Sequence, residues 1–163
     1  MNKPDLQAEG MIFIHSAPTA LRSHVEWAVD AAVVAPSFRW TRQPVEPGTW
    51  RSEATWRGTA ASAAALVSTL AAWGRLRFDL TIESGAPSRR WSVTPDLGVF
   101  SAAMDEAGSV LVDEHRLRNA VAQARRGAVL ADEIADLLGE PWDVELEAYR
   151  ACDPQLDVSW LAV

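Results

Sequence analysis

The sequence predicts a single α+β domain, and three stretches carry that prediction. Residues 11–14, Met-Ile-Phe-Ile, are a short apolar run that breaks at His15-Ser16-Ala17-Pro18. A helical stripe of Leu21, Val25, Ala28, Val29, Ala32 and Val33 follows, so a buried strand feeds a helix. Residues 75–83 then alternate, with Leu76, Phe78, Leu80 and Ile82 against Arg75, Arg77, Asp79 and Thr81, the period of a sheet with one apolar face.

At 163 residues the chain is long enough for one substantial core. Residues 1–10 are polar and read as a flexible tail. The first strand, 11–15, is apolar at nearly every position, which implies burial on both faces. Ser16 or Thr19 is placed to cap the helix, with Pro18 near its start, and Pro36 ends it. Residues 37–42 alternate, with Phe38 and Trp40 on one side. Pro44–Gly48 is a turn, and 50–57 alternates with Trp50, Ser52, Ala54 and Trp56 opposing Arg51, Glu53, Thr55 and Arg57. Residues 58–74 follow a helical period, with Ala63, Leu66, Val67, Leu70 and Trp73 on one stripe and Gly74 as the stop.

The order strand, helix, strand, strand, helix, strand is that of a ferredoxin-like βαββαβ core over residues 11–83. Residues 84–112 add short strands, the last two joined by a hairpin turn at Asp105–Gly108. Residues 113–163 form a helical C-terminal segment, with patterns over 114–125 (capped by Asp113), 128–138 (closed by Gly139) and 141–150, before an apolar end at 158–163.

Composition narrows the functional classes. A formal charge of −7 argues against general nucleic-acid binding, because that affinity comes mainly from neutralising phosphates. One cysteine, Cys152, allows no disulfide framework and no cysteine metal site. No signal peptide and no membrane-spanning stretch is read, so a cytoplasmic location is expected. Eight tryptophans are read mainly as core filler.

Motifs for chemistry are missing. There is no phosphate-cradling glycine loop, no His-Glu-x-x-His, no Gly-x-Ser-x-Gly and no Cys-x-x-Cys, so neither a catalytic set, a metal site nor a cofactor is expected. Three surfaces remain. His15 and Ser16, at the strand-helix junction with Arg42 or Arg39 nearby, suit a small anionic ligand if a helix N-terminus opens there. Against that, Ser16 is an ordinary cap and His15 an ordinary hydrogen-bonding residue. Trp27 lies off the apolar stripe, while Glu26 is expected to face solvent. The second helix carries no charge between Arg57 and Arg75, and its far side, Ala61, Ala64, Ala65, Ser68 and Ala72, is small and neutral. A helix with one buried face normally puts charges on the other, so either the chain's own tail or another protein is expected there.

Acidic residues accumulate over 127–149 without a Lys or Arg. They are either a solvated face, a surface for a basic partner, or the answer to Arg39, Arg51, Arg57, Arg75 and Arg77 on the sheet face away from the helices. Those arginines also raise RNA binding, but residues 75–83 place no outward aromatic ring for base stacking.

Several segments together are distinctive: Phe-Ile-His-Ser-Ala-Pro (13–18), His-Val-Glu-Trp-Ala (24–28), Trp-Thr-Arg-Gln-Pro (40–44), Pro-Gly-Thr-Trp-Arg (47–51), Leu-Arg-Phe (76–78) and Thr-Pro-Asp-Leu-Gly-Val-Phe (94–100). On these the chain resembles an actinobacterial family of short proteins, domain of unknown function family 3145. The resemblance implies a cytoplasmic bacterial protein and carries over no functional residue. The expectation is therefore a non-catalytic accessory or regulatory module that binds a protein partner or a second copy of itself. A binder of, or enzyme acting on, a small anionic metabolite comes second, and RNA binding third.

Overall fold

The computed structural model describes residues 7–152. They form a mixed α+β structure: five α-helices and one seven-stranded antiparallel sheet. Strand β1 (Ala8–Pro18) is followed by a 3-10 turn (Thr19–Leu21) and helix α1 (Arg22–Ala32). Strands β2 (Thr41–Arg42) and β3 (Thr49–Gly58) lead to helix α2 (Ala60–Ala72) and strand β4 (Arg77–Ile82). Strands β5 (Arg89–Thr94), β6 (Gly98–Met104) and β7 (Val110–Leu111) extend the sheet, and helices α3 (Glu114–Arg125), α4 (Leu130–Leu138) and α5 (Glu140–Ala151) close the described chain. The strand order is β2-β3-β1-β4-β5-β6-β7.

Side-chain alternation builds the core. Ile12 and Ile14 of β1, Ala54 and Trp56 of β3, and Phe78, Leu80 and Ile82 of β4 are buried with Val25 and Val29 of α1 and Ala63, Leu66, Val67 and Leu70 of α2. The buried stripe of α2 is the one its helical period predicts, and Thr59 caps the helix by accepting a bond from the Ser62 N–H. Gly10 is required where β1 passes β4: a Cβ there would lie 1.8 Å from the Thr81 carbonyl oxygen. That oxygen accepts a hydrogen bond from Trp56 Nε1 at 3.0 Å.

Four expectations change. Strand β1 runs from Ala8 to Pro18 rather than over 11–15, so the N-terminal residues 8–10 belong to the sheet. It continues past His15 through a bulge between Ile14 and Ala17, then pairs Ala17 with Trp50 and Pro18 with Thr49. Neither Ser16 nor Thr19 therefore caps a helix: Ser16 is inside the strand, α1 has Leu21 at its N-cap without a side-chain bond, and Thr19 Oγ1 accepts from Trp50 Nε1. The strand expected over 37–42 shrinks to Thr41–Arg42; Phe38 and Trp40 are instead half-buried against the core edge with their rings 5.5 Å apart. Glu26 does not face open solvent, because its carboxylate accepts a hydrogen bond from Trp40 Nε1 at 2.9 Å.

Caps and turns at the C-terminal end follow the sequence. Asp113 accepts from the Arg116 N–H at 2.9 Å and starts α3. Gly139, at φ +76°, ends α4 in the left-handed conformation. It also abuts β6, since a Cβ there would sit 2.6 Å from the Phe100 ring. The apolar end over 158–163 lies outside the described residues.

Candidate functional site

The two faces of the sheet are built from opposite chemistry. On the helical side, α1 and α2 cover the apolar face and turn a second, outer surface to solvent. Ala61, Ala64, Ala65, Ser68 and Ala72 are all exposed there. Trp27 is 68% exposed and stacks on His24, with ring centroids 5.5 Å apart. Leu21, Ala28 and Trp73 join these two rings in an open, mostly apolar groove. Among the described residues no segment buries this surface. Helices α3–α5 make no extensive contact with α2, so among the described residues the first of the two expected coverings, the chain's own C-terminal segment, is not seen.

On the other side, α5 lies across the face of β1 and β5. Leu146 and the half-buried Trp142 anchor it, and Trp142 Nε1 donates to the Gly98 carbonyl at 3.0 Å while its ring meets Phe100. Beneath it is a buried polar cluster centred on Asp79. The Asp79 carboxylate accepts from His15 Nε2 at 2.7 Å, from Arg150 Nε and Nη2 at 2.8 Å each, and from the Ser92 hydroxyl. Burial alone would push the Asp79 carboxyl up, but the bonds from His15 and Arg150 outweigh it and hold the group well below the usual carboxylate range. Burial works the other way on the Arg150 guanidinium, yet the bonds to Asp79 and Asp143 leave it more firmly protonated than a free arginine.

A second tier surrounds this centre. Arg90 Nη2 lies 3.3 Å from Asp143, which Arg150 Nη1 also meets at 2.7 Å. Arg77 pairs with Glu145 at 3.1 Å and Glu46 at 3.0 Å, and its guanidinium lies over the Tyr149 ring at 5.0 Å. Part of the acidic run thus answers arginines of its own chain. Arg77 is one of those named from the sequence; Arg90 and Arg150 are not among them. Arg39, Arg57 and Arg75 are exposed, and Arg51 has no carboxylate partner among the described residues.

Of the residues read as an anion site, the structure places His15 in the Asp79 cluster, which already supplies its negative partner. Ser16 is buried with its Oγ unpaired, three residues before the 3-10 turn and six before α1. Arg42 is exposed on β2 with its guanidinium 5.7 Å from the Trp50 ring centre. No helix N-terminus opens at Ser16, so the physical basis of that grouping is absent. Asp79, Ser92 and Arg150 are what sequence reasoning missed. Alternation marks Asp79 as outward-facing, and only the lid formed by α5 makes it buried.

Among the described residues, no group of three or more His, Cys, Asp or Glu side chains is arranged to hold a metal ion. No helix there is long and apolar enough to cross a membrane. The fold and its two faces define an α+β protein organised around one antiparallel sheet, with a charged inner interface and a neutral outer one. The chain belongs to the family described as Protein of unknown function (DUF3145), whose model matches residues 11–163. No curated protein and no solved structure matches it.

Proposed function

We propose that this protein is a non-catalytic accessory or regulatory module of a larger bacterial complex, and that a protein partner docks on the outer face of α1 and α2. One observation carries the reading: Trp27, a large ring, is 68% exposed beside a helix face that has no charge. Aromatic side chains at the centre of contact surfaces are the usual anchors of binding energy, and small residues around them permit close backbone approach. Contiguous apolar surface of this kind marks interaction sites more often than scattered single residues do.

The same proposal includes a ferredoxin-like core, which the antiparallel order β4-β1-β3-β2 and the shared core of α1 and α2 support. It also includes an actinobacterial source and a cytoplasmic location, in keeping with the family resemblance. The test is a pair of variants, Trp27→Ala and Ala64→Glu, measured for folding by circular dichroism and for association by sedimentation velocity and by in-cell photo-crosslinking from position 64. The reading expects intact folding, with a defined crosslinked species in the parent that Trp27→Ala removes. Intact folding with no defined crosslink in the parent would sink it.

A further inference from the structure

We propose that the cleft between α5 and the sheet is a binding site for a small organic oxyanion, a carboxylate or phosphate carried on a flat unsaturated body. The cleft encloses about 390 Å³ and lies on the face opposite the proposed docking surface, so it stands independently of that reading. Its walls come from five elements: Phe13 and His15 of β1, Arg51 of β3, Asp79 of β4, Arg90 of β5, and Arg150 of α5.

Unmet hydrogen-bonding capacity points to the ligand. Arg51 Nη1 and Arg90 Nε are buried and find no acceptor among the described residues. Buried guanidinium N–H groups are rarely left unpaired, because each forgoes a charge-assisted bond it had in water. Every other arginine turned into this interface meets a carboxylate, whereas Arg51 meets none among the described residues. Glu53 also lines the cleft, but it is exposed and makes no ion pair with Arg51. The missing acceptor is therefore an oxyanion, the group whose geometry suits a guanidinium fork.

The adjoining wall shapes the rest of the ligand. The Phe13 ring and the His15 imidazole stack within 4° of parallel, with centroids 6.3 Å apart, and put aromatic surface on the cleft wall. His15 is held in place by Asp79, and Asp79 by Arg150 and Ser92, so the imidazole is fixed before any ligand arrives. Aromatic surface beside an unpaired guanidinium favours a planar body with a charged head. Bulk and charge both fit: 390 Å³ accommodates a small metabolite and not a polymer.

The experiment uses the full chain and four probes at matched ionic strength: benzoate, phenyl phosphate, inorganic phosphate and chloride. Melting temperature is followed against probe concentration for the parent, for Arg51→Gln, and for Arg57→Gln, an exposed arginine of the same strand outside the cleft. Arg51 is in no ion pair of the described structure, so its replacement leaves the α5 interface intact. The expected result is a saturable rise in Tm with benzoate or phenyl phosphate that Arg57→Gln keeps. Arg51→Gln should weaken it about ten- to a hundredfold in apparent Kd, the range for one lost charge-assisted bond. Whichever of the two aryl probes responds identifies the head group as carboxylate or phosphate. The proposal is overturned if neither aryl probe gives a saturable shift, if inorganic phosphate or chloride does as well, or if Arg51→Gln responds like the parent.

Discussion

Phe78 and Asp79 are neighbours on β4 that point to opposite sides of one sheet, and both are buried, at 0% and 6% exposure. Phe78 is buried because it is apolar and faces two helices. Asp79 is buried because α5 brings Arg150 over it, and His15 and Ser92 complete its hydrogen bonding. One layer rests on area removed from water and the other on matched polar groups. The second is directional: it holds only while each member keeps its partner.

The comparison is broken most directly by removing each residue. Phe78→Ala should cost about 3–5 kcal/mol through lost burial and the cavity left behind. Asp79→Ala should cost a similar amount, about 3–5 kcal/mol, because it leaves the buried His15 without its partner and takes one of two carboxylates from the half-buried Arg150. Urea unfolding measures both. An Asp79→Ala variant as stable as the parent would mean that α5 is only loosely seated and that the charged layer contributes nothing.

Acid sharpens the contrast. Because the folded-state Asp79 carboxyl lies below its ordinary value of 3.8, the unfolded chain takes up this proton first as pH falls. The stability due to Asp79 is thus complete above about pH 5 and is lost progressively as pH drops below about 4 towards the folded-state value. Asp79→Asn should flatten that part of the pH-stability curve, whereas Phe78→Ala should lower the whole curve without changing its shape there. Equilibrium unfolding from pH 7 down to pH 3 separates the two.

The smallest expected effects belong to the exposed side of α1 and α2. Trp27→Ala and Ala64→Glu should change stability by no more than about 0.5 kcal/mol, as for surface positions without special contacts. A loss of several kcal/mol from Ala64→Glu would show that this face is covered in the folded chain, and the reading of it as a docking surface would fall.

Most of the apolar layer was legible in the sequence because its signal is local. The alternation of Ser52, Ala54 and Trp56 against Arg51, Glu53 and Thr55, and the stripe of Ala63, Leu66, Val67 and Leu70, each lie within one element. The polar layer is assembled from residues far apart in the chain: His15 and Asp79 are 64 positions apart, and Arg150 and Asp79 are 71. Single-sequence periodicity contains nothing that joins them. The excess of acid near the C-terminus and of arginine on the sheet hinted at complementarity, and Arg77 with Glu145 realises it. The junction after β1 was misread for a related reason. A strand that bulges looks, in sequence, like a strand that ends.

That bulge has a consequence for chain length. Ile14 and Ala17 face Ser52 and Trp50, so β1 spends three steps where β3 spends two; towards β4, Ile14 and Ser16 face Phe78 and Arg77, again one step too many. Deleting one residue of the His15-Ser16 pair would put β1 in step with both neighbours and leave every flanking side chain on its present face. The sheet can therefore close without the surplus residue. The surplus sits beside the histidine that meets Asp79, and a one-residue deletion series across positions 15–16 would separate the length that folding needs from the length that the charged cleft needs.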